Sequence, residues 1–314
     1  MDKNSSIYIA GHSGLIGSSV TEILKVKGYK NLILKTRHEL DLLDQEKVEE
    51  FFKKERPEYV FICAGNTGGI KKNIEKVAEL IYENSLININ LIHFSYKYKV
   101  KKLLYIGCSC MYPRESPQPM KEEYLLTGPL EPTNEPYAIA KILGLKMCQS
   151  YNSQYKTKFL TVIGGNVFGE GEKQFDETAH VIPSLIKKFY EAKTKKLNKI
   201  EIWGSGNAKR DFIYVRDFAN ACIFLMENYE GNEIINIGRG EGVSIREIVE
   251  NLKQITGFEG EIIYNEKMPE GAPIRILDTG KIKELGWQPK ITIYDGLKLT
   301  YEWFKNNYSL KTKI

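Results

Sequence analysis

The chain has 314 residues, of which 42% are apolar and 27% charged, and its net charge is +5. These proportions are ordinary for a globular protein, and no stretch approaches the roughly 18 apolar residues of a membrane span. Lysine and arginine are scattered, and neither zinc-finger spacing nor an RNP-type motif occurs, so we expect no membrane and no nucleic acid as partner. A scattered positive surplus does suit an anionic small-molecule substrate.

The cysteines argue against a metal site or a disulfide framework, because their number is odd and the four histidines are dispersed. The opening "MDKNSS" runs directly into the strand-like "IYIAG", so we expect no signal peptide and predict a cytoplasmic protein without a metal. The close pair in "LYIGCSCMYP" leaves open whether two thiols serve a redox or an acid–base role. The five cysteines are Cys63, Cys108, Cys110, Cys148 and Cys222.

The first half of the chain alternates strand and helix patterns, which predicts an α/β fold with a doubly wound parallel (Rossmann) sheet. Short continuous apolar runs indicate strands that are covered on both faces. A helix-like segment after the first strand closes at Gly28, and a second begins at Asp44. The predicted strands are 7–10, 31–36, 59–64, 102–107 and 158–164.

The segment "IYIAGHSGLIG" ends the first strand and opens the first helix, with Gly11, Gly14 and Gly17 in the spacing G-x-x-G-x-x-G. Glycines allow a tight turn and a close approach of the backbone to a pyrophosphate, which the positive helix N-terminus attracts. A glycine triplet alone would also fit a plain turn. Its position between the first strand and the first helix favours a dinucleotide site.

The end of the second strand indicates which dinucleotide is bound. NAD sites usually carry an acid there for the ribose 2′-hydroxyl, but "LKTRHELDLLD" places Lys35 and Arg37 there, with no acid before Glu39. Basic side chains suit a 2′-phosphate, although two solvated surface cations would look the same. We predict NADPH as the cofactor.

The alternation loosens beyond about residue 165. We predict a dinucleotide-binding domain over 1–165 and a smaller α+β lobe over 166–314, with segments near 208–228 returning to the first domain. The last segment, "YDGLKLTYEWFKNN", is typical of a terminal amphipathic helix.

Tyr137 and Lys141 in "NEPYAIAKILGLK" have the spacing Y-x-x-x-K, which places them on one helix face. A nearby ammonium would lower the pKa of the phenol, which could then give a proton to an oxyanion or take one from an alcohol. The spacing is common by chance. Together with the glycine loop and the hydroxyl and thiol groups after the fourth strand, it resembles the extended short-chain dehydrogenase/reductases.

Motifs along nearly the whole chain resemble the GDP-L-fucose synthases, also called GDP-4-keto-6-deoxymannose epimerase/reductases. They include "IAGHSGLIGS", "RHELDLLD", "SCMYP", "LEPTNEPYAIAKI", "HVIPSLIKKF", "WGSGNAKRDFIYVRD" and "LDTGKIKELGW". The resemblance implies epimerisation of a GDP-linked 4-keto-6-deoxy sugar at C3 and C5, then reduction of C4 with NADPH. It also implies a sugar-nucleotide-binding C-terminal lobe and a homodimer formed through two helices of the sheet domain.

The resemblance assigns the proton shuttle of epimerisation to Cys110 and His180, whose thiol and imidazole titrate near neutrality. Taken alone, Cys110 could be a small buried residue and His180 a surface residue at a helix start. The family's catalytic serine falls on Cys108, a weaker donor, and Ser109 could replace it only if the backbone bends. The predicted catalytic residues are Tyr137, Lys141, Cys108, Ser109, Cys110 and His180.

Further binding residues follow from the same resemblance. The predicted cofactor-binding residues are Gly11, Gly14, Leu15, Ile16, Gly17, Lys35, Arg37, Asp41, Leu42, Lys141 and Asn166. The predicted substrate-binding residues are His180, Lys188, Trp203, Arg210 and Glu270, although a core tryptophan and solvated cations would look similar. Ser13 stands where the family often has an arginine near the 2′-phosphate, which weakens the NADP prediction. Departures from the family's usual sequence in "CAGNTGG" (63–69) and in "GGNVFG" (164–169) suggest a sugar other than the ordinary hexose.

We therefore predict an NADPH-dependent C4 reductase of a GDP-4-keto-6-deoxy sugar, with prior C3/C5 epimerisation. The nearest alternative is a reductase without epimerase activity, acting on a GDP-4-keto-6-deoxy-heptose that a separate epimerase supplies. The altered motifs favour that alternative, and the retained Cys110 and His180 oppose it. A dehydratase or C4-epimerase would tend to carry an acid pair, which "SCMYP" lacks, and a non-catalytic dinucleotide sensor is the remaining alternative.

Overall fold

The computed structural model describes residues 1–176, 178–268 and 271–308, apart from the side chain of Ile70. Its strands are β1 (Ile7–Ala10), β2 (Leu32–Ile33), β3 (Tyr59–Ile62), β4 (Lys102–Cys108), β5 (Phe159–Gly164), β6 (Asn166–Phe168), β7 (Lys199–Trp203), β8 (Lys209–Arg210), β9 (Phe212–Tyr214), β10 (Ile235–Ile237), β11 (Val243–Ser244), β12 (Glu261–Asn265) and β13 (Ile274–Arg275). Its helices are α1 (Leu15–Val26), α2 (Gln45–Glu55), α3 (Ile70–Glu75), α4 (Val77–Lys97), α5 (Glu135–Tyr155), α6 (Val181–Thr194), α7 (Val215–Asn228), α8 (Ile245–Thr256), α9 (Gly280–Glu284) and α10 (Ile293–Tyr308). Within these ranges, no helix has the length and apolar character needed to cross a membrane.

Six parallel strands form the main sheet, in the order β10-β5-β4-β3-β1-β2, and this confirms the predicted doubly wound α/β fold. The second strand is shorter than the predicted 31–36. It ends at Ile33 because the chain turns shortly afterwards, where the N–H and hydroxyl of Thr36 donate to the carboxylate of Glu39.

Alternate residues of each strand bury their side chains on opposite faces of this sheet, as the pleat requires. In β1, Tyr8 and Ala10 join the apolar cluster under α2, α4 and α5, whereas Ile7 and Ile9 join the cluster under α1 and α7. Because both faces are covered, the strands are continuously apolar, which is the pattern that the sequence shows.

The strand order reverses between β1 and β3, since β2 follows on one side of β1 and β3 on the other. In open α/β sheets, ligands bind outside the carboxyl ends of the strands at such a reversal. The glycine-rich segment after β1 lies at this point.

A third apolar cluster lies in the C-terminal half, where α6, α8 and α10 pack around the short strands. There β7 pairs with β12, β6 with β9, and β8 with β11 and β13. Two elements of this half associate with the main sheet: β10 pairs with β5, and α7 packs against α1. The division of function between the two halves stays a prediction.

One buried carboxylate connects several segments of the C-terminal half. Asp211 is 1% exposed and accepts hydrogen bonds from the backbone N–H groups of Arg239, Gly240 and Leu277 at 2.8, 3.1 and 3.4 Å. Its backbone carbonyl accepts from the N–H of Asn166 at 2.7 Å. Burial raises the pKa of Asp211 to about 6, against the effect of these donors.

Helix α5 lies unusually close to β4. A Cβ atom at Gly144 would collide with the ring and hydroxyl of Tyr105, which is fully buried. Tyr105 cannot easily move aside, because its hydroxyl donates to the carbonyl of Lys141 at 3.0 Å and accepts from Asn88 at 3.2 Å. Glycine at position 144 therefore sets the distance between helix and strand.

We expect Gly144→Ala to destabilise the protein, because overpacking costs about 1–3 kcal/mol and outweighs the helix-propensity gain of at most about 1 kcal/mol. Thermal or urea unfolding measures the change. The matched control is Gly128→Ala, where the added Cβ would sit 3.4 Å from Pro113, and we expect a change within about 0.5 kcal/mol. Equal stability of the two variants would contradict the proposed close contact.

Candidate active site

The glycine-rich loop forms a cradle at the start of α1. Gly11 has φ of +79°, and a Cβ there would lie 2.7 Å from the backbone nitrogen of Ala64. A Cβ at Gly17 would collide with the carbonyl oxygen of Gly11. The loop therefore has its tight form only with glycine at these positions.

The N-terminus of α1 is open toward this loop. Gly14 is the N-cap, and no side chain of the described residues caps the helix there. The N–H groups of Leu15, Ile16 and Gly17 have no partner within the helix, as for the first turn of any α-helix. Such a terminus with a glycine cradle fits the pyrophosphate of a dinucleotide.

The predicted residues for the adenosine end lie beyond β2. Lys35 approaches Glu55 at 4.0 Å, and Arg37 is exposed to solvent. Asp41 accepts from the N–H of Leu43 at 3.1 Å, and the carbonyl of Leu42 accepts from the side chain of Asn90 at 2.8 Å. Both cations follow β2, and Lys35 shares its charge with an acid.

Tyr137 and Lys141 lie one turn apart near the start of α5, as the spacing predicts. The Lys141 amine lies 5.8 Å from the centroid of the Tyr137 ring and donates to the carbonyl of Ile106 in β4 at 3.1 Å. Lys141 is 6% exposed, and its desolvation lowers the pKa to about 8. The amine thus remains largely protonated at neutral pH.

The pKa of the Tyr137 phenol is raised in this structure, whereas the sequence predicts a lowered pKa from the neighbouring Lys141. Burial raises the pKa of Tyr137, and a hydrogen bond with Thr67 only partly opposes the rise. Desolvation dominates because the ring is enclosed by protein, and the ionised form loses its hydration. The phenol therefore holds its proton at neutral pH.

The "CSC" segment differs from two free thiols on a strand. Cys108 ends β4, and a 3₁₀ turn over Ser109–Met111 follows, so the backbone does bend after Cys108. The turn brings the Cα atoms of Cys108 and Cys110 to 5.4 Å, and their sulfurs are joined as a disulfide. The predicted acid–base thiol of Cys110 is thus paired in this structure, because the turn closes a distance that a strand would keep open.

His180 is the N-cap of α6. Its Nε2 atom is 3.5 Å from the hydroxyl of Thr67. Solvent reaches the ring, yet the protein around it lowers its pKa by desolvation. The loop after β3 thus brings Thr67 toward both His180 and Tyr137.

The remaining predicted residues lie in the C-terminal half. The half-buried Asn166 begins β6 and is tied to the carbonyl of Asp211. The Lys188 amine lies 5.7 Å from the centroid of Trp203, which is 41% exposed. Arg210 is half-buried in β8, and Glu270 lies outside the described residues.

Sequence reasoning missed two residues of this site. Thr67 lies in the segment 63–69, which departs from the family pattern. Its contacts with His180 and Tyr137 form between segments that are distant in sequence. Arg275 is 8% exposed, and its guanidinium donates to the carbonyl of Ser109 at 2.8 Å from a distant strand. No local sequence pattern indicates either contact, since the partners are far apart in sequence.

Residues 7–238 match the family described as the NAD dependent epimerase/dehydratase family. A putative GDP-L-fucose synthase 2 from Arabidopsis thaliana is 45% identical over 307 residues, which cover 98% of this chain and 94% of the relative. The crystal structure of a GDP-6-OMe-4-keto-L-xylo-heptose reductase from Campylobacter jejuni is 40% identical with a TM-score of 0.93, covering 98% of this chain and 99% of the other. A GDP-mannoheptose C4 reductase from Campylobacter jejuni with NADP bound is 40% identical with a TM-score of 0.89, covering 97% and 99%.

We expect the Lys141 amine to titrate with a pKa of about 8, well below that of an ordinary lysine, because it is buried. An NMR pH titration of protein carrying ¹³C-labelled lysine measures this value. The signal is assigned by its loss in Lys141→Arg. A pKa near 10.4 for that signal would contradict the desolvated position of the amine.

Proposed function

The chain belongs to the GDP-L-fucose synthases of the NAD dependent epimerase/dehydratase family, and we propose that it reduces the C4 ketone of a GDP-linked 4-keto-6-deoxy sugar with NADPH. The observation that carries this proposal is the pair of Tyr137 and Lys141 at the carboxyl edge of the sheet, next to the glycine cradle. The NADP bound to the Campylobacter jejuni C4 reductase supports the choice of cofactor.

The glycine cradle and the N-terminus of α1 would hold the pyrophosphate of NADPH, with Lys35 and Arg37 toward the 2′-phosphate. The cofactor supplies a hydride to C4 when it is bound. As negative charge develops on the C4 oxygen, the phenol of Tyr137 donates its proton there, and its raised pKa keeps that proton available at neutral pH. The protonated Lys141 stabilises the phenolate that remains.

At the nucleotide end, we propose that Lys188 and Arg210 balance the diphosphate of GDP and that Trp203 packs on the base or ribose. The exposed indole beside the Lys188 amine supports this arrangement. Glu270 is proposed to contact the same moiety on the family resemblance alone.

Epimerisation at C3 and C5 is the second part of the proposal. Hydrogens on these carbons are acidic because they neighbour the C4 ketone, and inversion requires one group to remove a proton and another to return it. In their free forms, the Cys110 thiol and the His180 imidazole supply these two groups. The Campylobacter jejuni heptose reductases favour the alternative, a C4 reductase on a heptose without epimerisation.

The reductase proposal predicts that Tyr137→Phe slows NADPH oxidation by about 10²–10⁴-fold, because the proton donor is lost while the ring remains. The rate is followed by absorbance at about 340 nm with a GDP-4-keto-6-deoxy sugar. Tyr155→Phe, at the other end of the same helix, is the matched control and should keep the parent rate. If Tyr137→Phe were as fast as the parent while chemistry limits turnover, the mechanism would be wrong.

A deuterium experiment separates the two functions. With protein kept reduced by dithiothreitol in D₂O and no cofactor, an epimerase should exchange the C3 and C5 hydrogens of the 4-keto sugar. Mass spectrometry of the sugar measures the uptake, and Cys110→Ser together with His180→Asn should abolish it. Absence of uptake with the parent protein, alongside normal reduction, would establish the reductase without epimerase activity.

We also propose a homodimer formed through α4 and α5. These adjacent helices expose several apolar side chains, and burying them against a second copy would remove this area from water. The exposed residues are Val77, Tyr82, Ile89, Ile139 and Tyr155. Light scattering on the purified protein, with a monomer mass of 36.0 kDa as reference, tests the proposal.

A cytoplasmic location is proposed in addition, because Cys63, Cys148 and Cys222 are free thiols.

A further inference from the structure

The "CSC" turn places two cysteines of the candidate site in a position to react with each other. The Cα atoms of Cys108 and Cys110 are 5.4 Å apart, within the usual disulfide range of about 4.4–6.8 Å, and their sulfurs are bonded in this structure. We propose that Cys108 and Cys110 form a reversible disulfide that inactivates the site, and that the enzyme works in the dithiol form.

Contacts with the surrounding protein hold this turn in place. Met111 and Tyr112 are fully buried, and the Tyr112 hydroxyl donates to Asn236 at 2.7 Å. The carbonyl of Ser109 accepts from the Arg275 guanidinium at 2.8 Å and from the N–H of Tyr112 at 3.2 Å. Because these contacts hold the turn, the two sulfurs stay near each other after reduction. Their proximity favours formation of the disulfide again.

The other cysteines are unsuited to the same reaction. Burial raises the pKa of Cys63 and of Cys148 to about 12, and that of Cys222 well above its ordinary value. Because the thiolate is the form that attacks a disulfide, these three react slowly. Cys108 and Cys110 are half-buried at the end of β4, where a small oxidant has access. Cys63 is also half-buried, and it differs from the pair in its raised pKa and in lying apart from their turn. Oxidation should therefore be confined to the pair.

The consequence for the site rests on the function proposed above. A disulfide leaves Cys110 without the proton that epimerisation requires, and it leaves Cys108 without the donor that would help Tyr137 hold the C4 oxygen. In a reducing compartment, disulfides are usually transient and serve catalysis or redox sensing. The pair thus couples the activity of the site to the thiol–disulfide balance around the protein.

The proposed oxidant is a low-molecular-weight disulfide such as glutathione disulfide. The thiolate of one cysteine attacks it, forms a mixed disulfide and releases one glutathione thiolate. The second cysteine then attacks the protein sulfur of that mixed disulfide and releases the second glutathione. Two electrons pass from the protein to the oxidant, both protons end on glutathione, and a dithiol such as dithiothreitol reverses the sequence.

The test uses the full chain, incubated with glutathione disulfide or with dithiothreitol, then denatured and labelled with a maleimide. The reduced protein should carry five labelled cysteines and the oxidised protein three, and peptide mapping should join Cys108 to Cys110. Five labels after oxidation, a glutathione adduct in place of the internal bond, or a bond elsewhere would overturn the proposal. This readout does not depend on any activity.

Activity provides the second readout. Oxidation should abolish deuterium exchange and slow the reduction about tenfold or more, since losing an oxyanion donor outright costs about 10²–10³-fold. Dithiothreitol should restore both, and an oxidised protein that maps correctly but reacts at the reduced rate would refute the switch. Cys148→Ala should respond like the parent, whereas Cys108→Ser should stop at a glutathione adduct on Cys110 and form no internal bond. If the reduced protein lacks reductase activity, the proposed function fails while the mapping still decides the disulfide.

Discussion

The hydrogen bond from the Lys141 amine to the carbonyl of Ile106 connects the helix that carries Tyr137 to the strand that ends in the "CSC" turn. This hydrogen bond thus joins α5 to β4, which are two separate parts of the site. It holds a cation in a buried place, where its charge acts on nearby groups more strongly than it would in water. The close approach of α5 to β4 at Gly144 makes the contact short enough to form.

Burial has opposite effects on the two members of this pair. It lowers the pKa of the amine and raises that of the phenol, since each group prefers its neutral form when it loses hydration. A protonated phenol is the form that reduction requires, because the ketone oxygen must receive a proton as the hydride arrives.

Much of the fold follows from local patterns in the sequence. The apolar runs predict the parallel strands, and the helix signals are accurate: Gly28 has φ of +84°, and the Asp44 side chain accepts from the N–H of Lys47 at the start of α2. The predicted second strand is too long because the apolar run continues beyond Ile33, where the pairing of β2 with β1 ends before the Thr36 turn. A turn held by one side chain is hard to infer from composition.

The site was harder to predict than the fold, for a physical reason. Spacing placed Tyr137 beside Lys141, but the effect of their charges depends on burial, which spacing does not report. The pairing of Cys108 with Cys110 depends on a change from strand to 3₁₀ turn within one residue. The contacts of Thr67 with His180 and of Arg275 with Ser109 join segments more than a hundred residues apart, so only the folded chain reveals them.

The pairing of β10 with β5 limits how this protein could be rebuilt. A chimera that grafts a foreign sugar lobe after residue 165 would leave the edge of β5 bare and remove the α7 covering from one face. A transplant that keeps residues 208–238 with the N-terminal half would preserve that interface. The two halves of the chain therefore share one sheet and cannot be separated at residue 165 without breaking it.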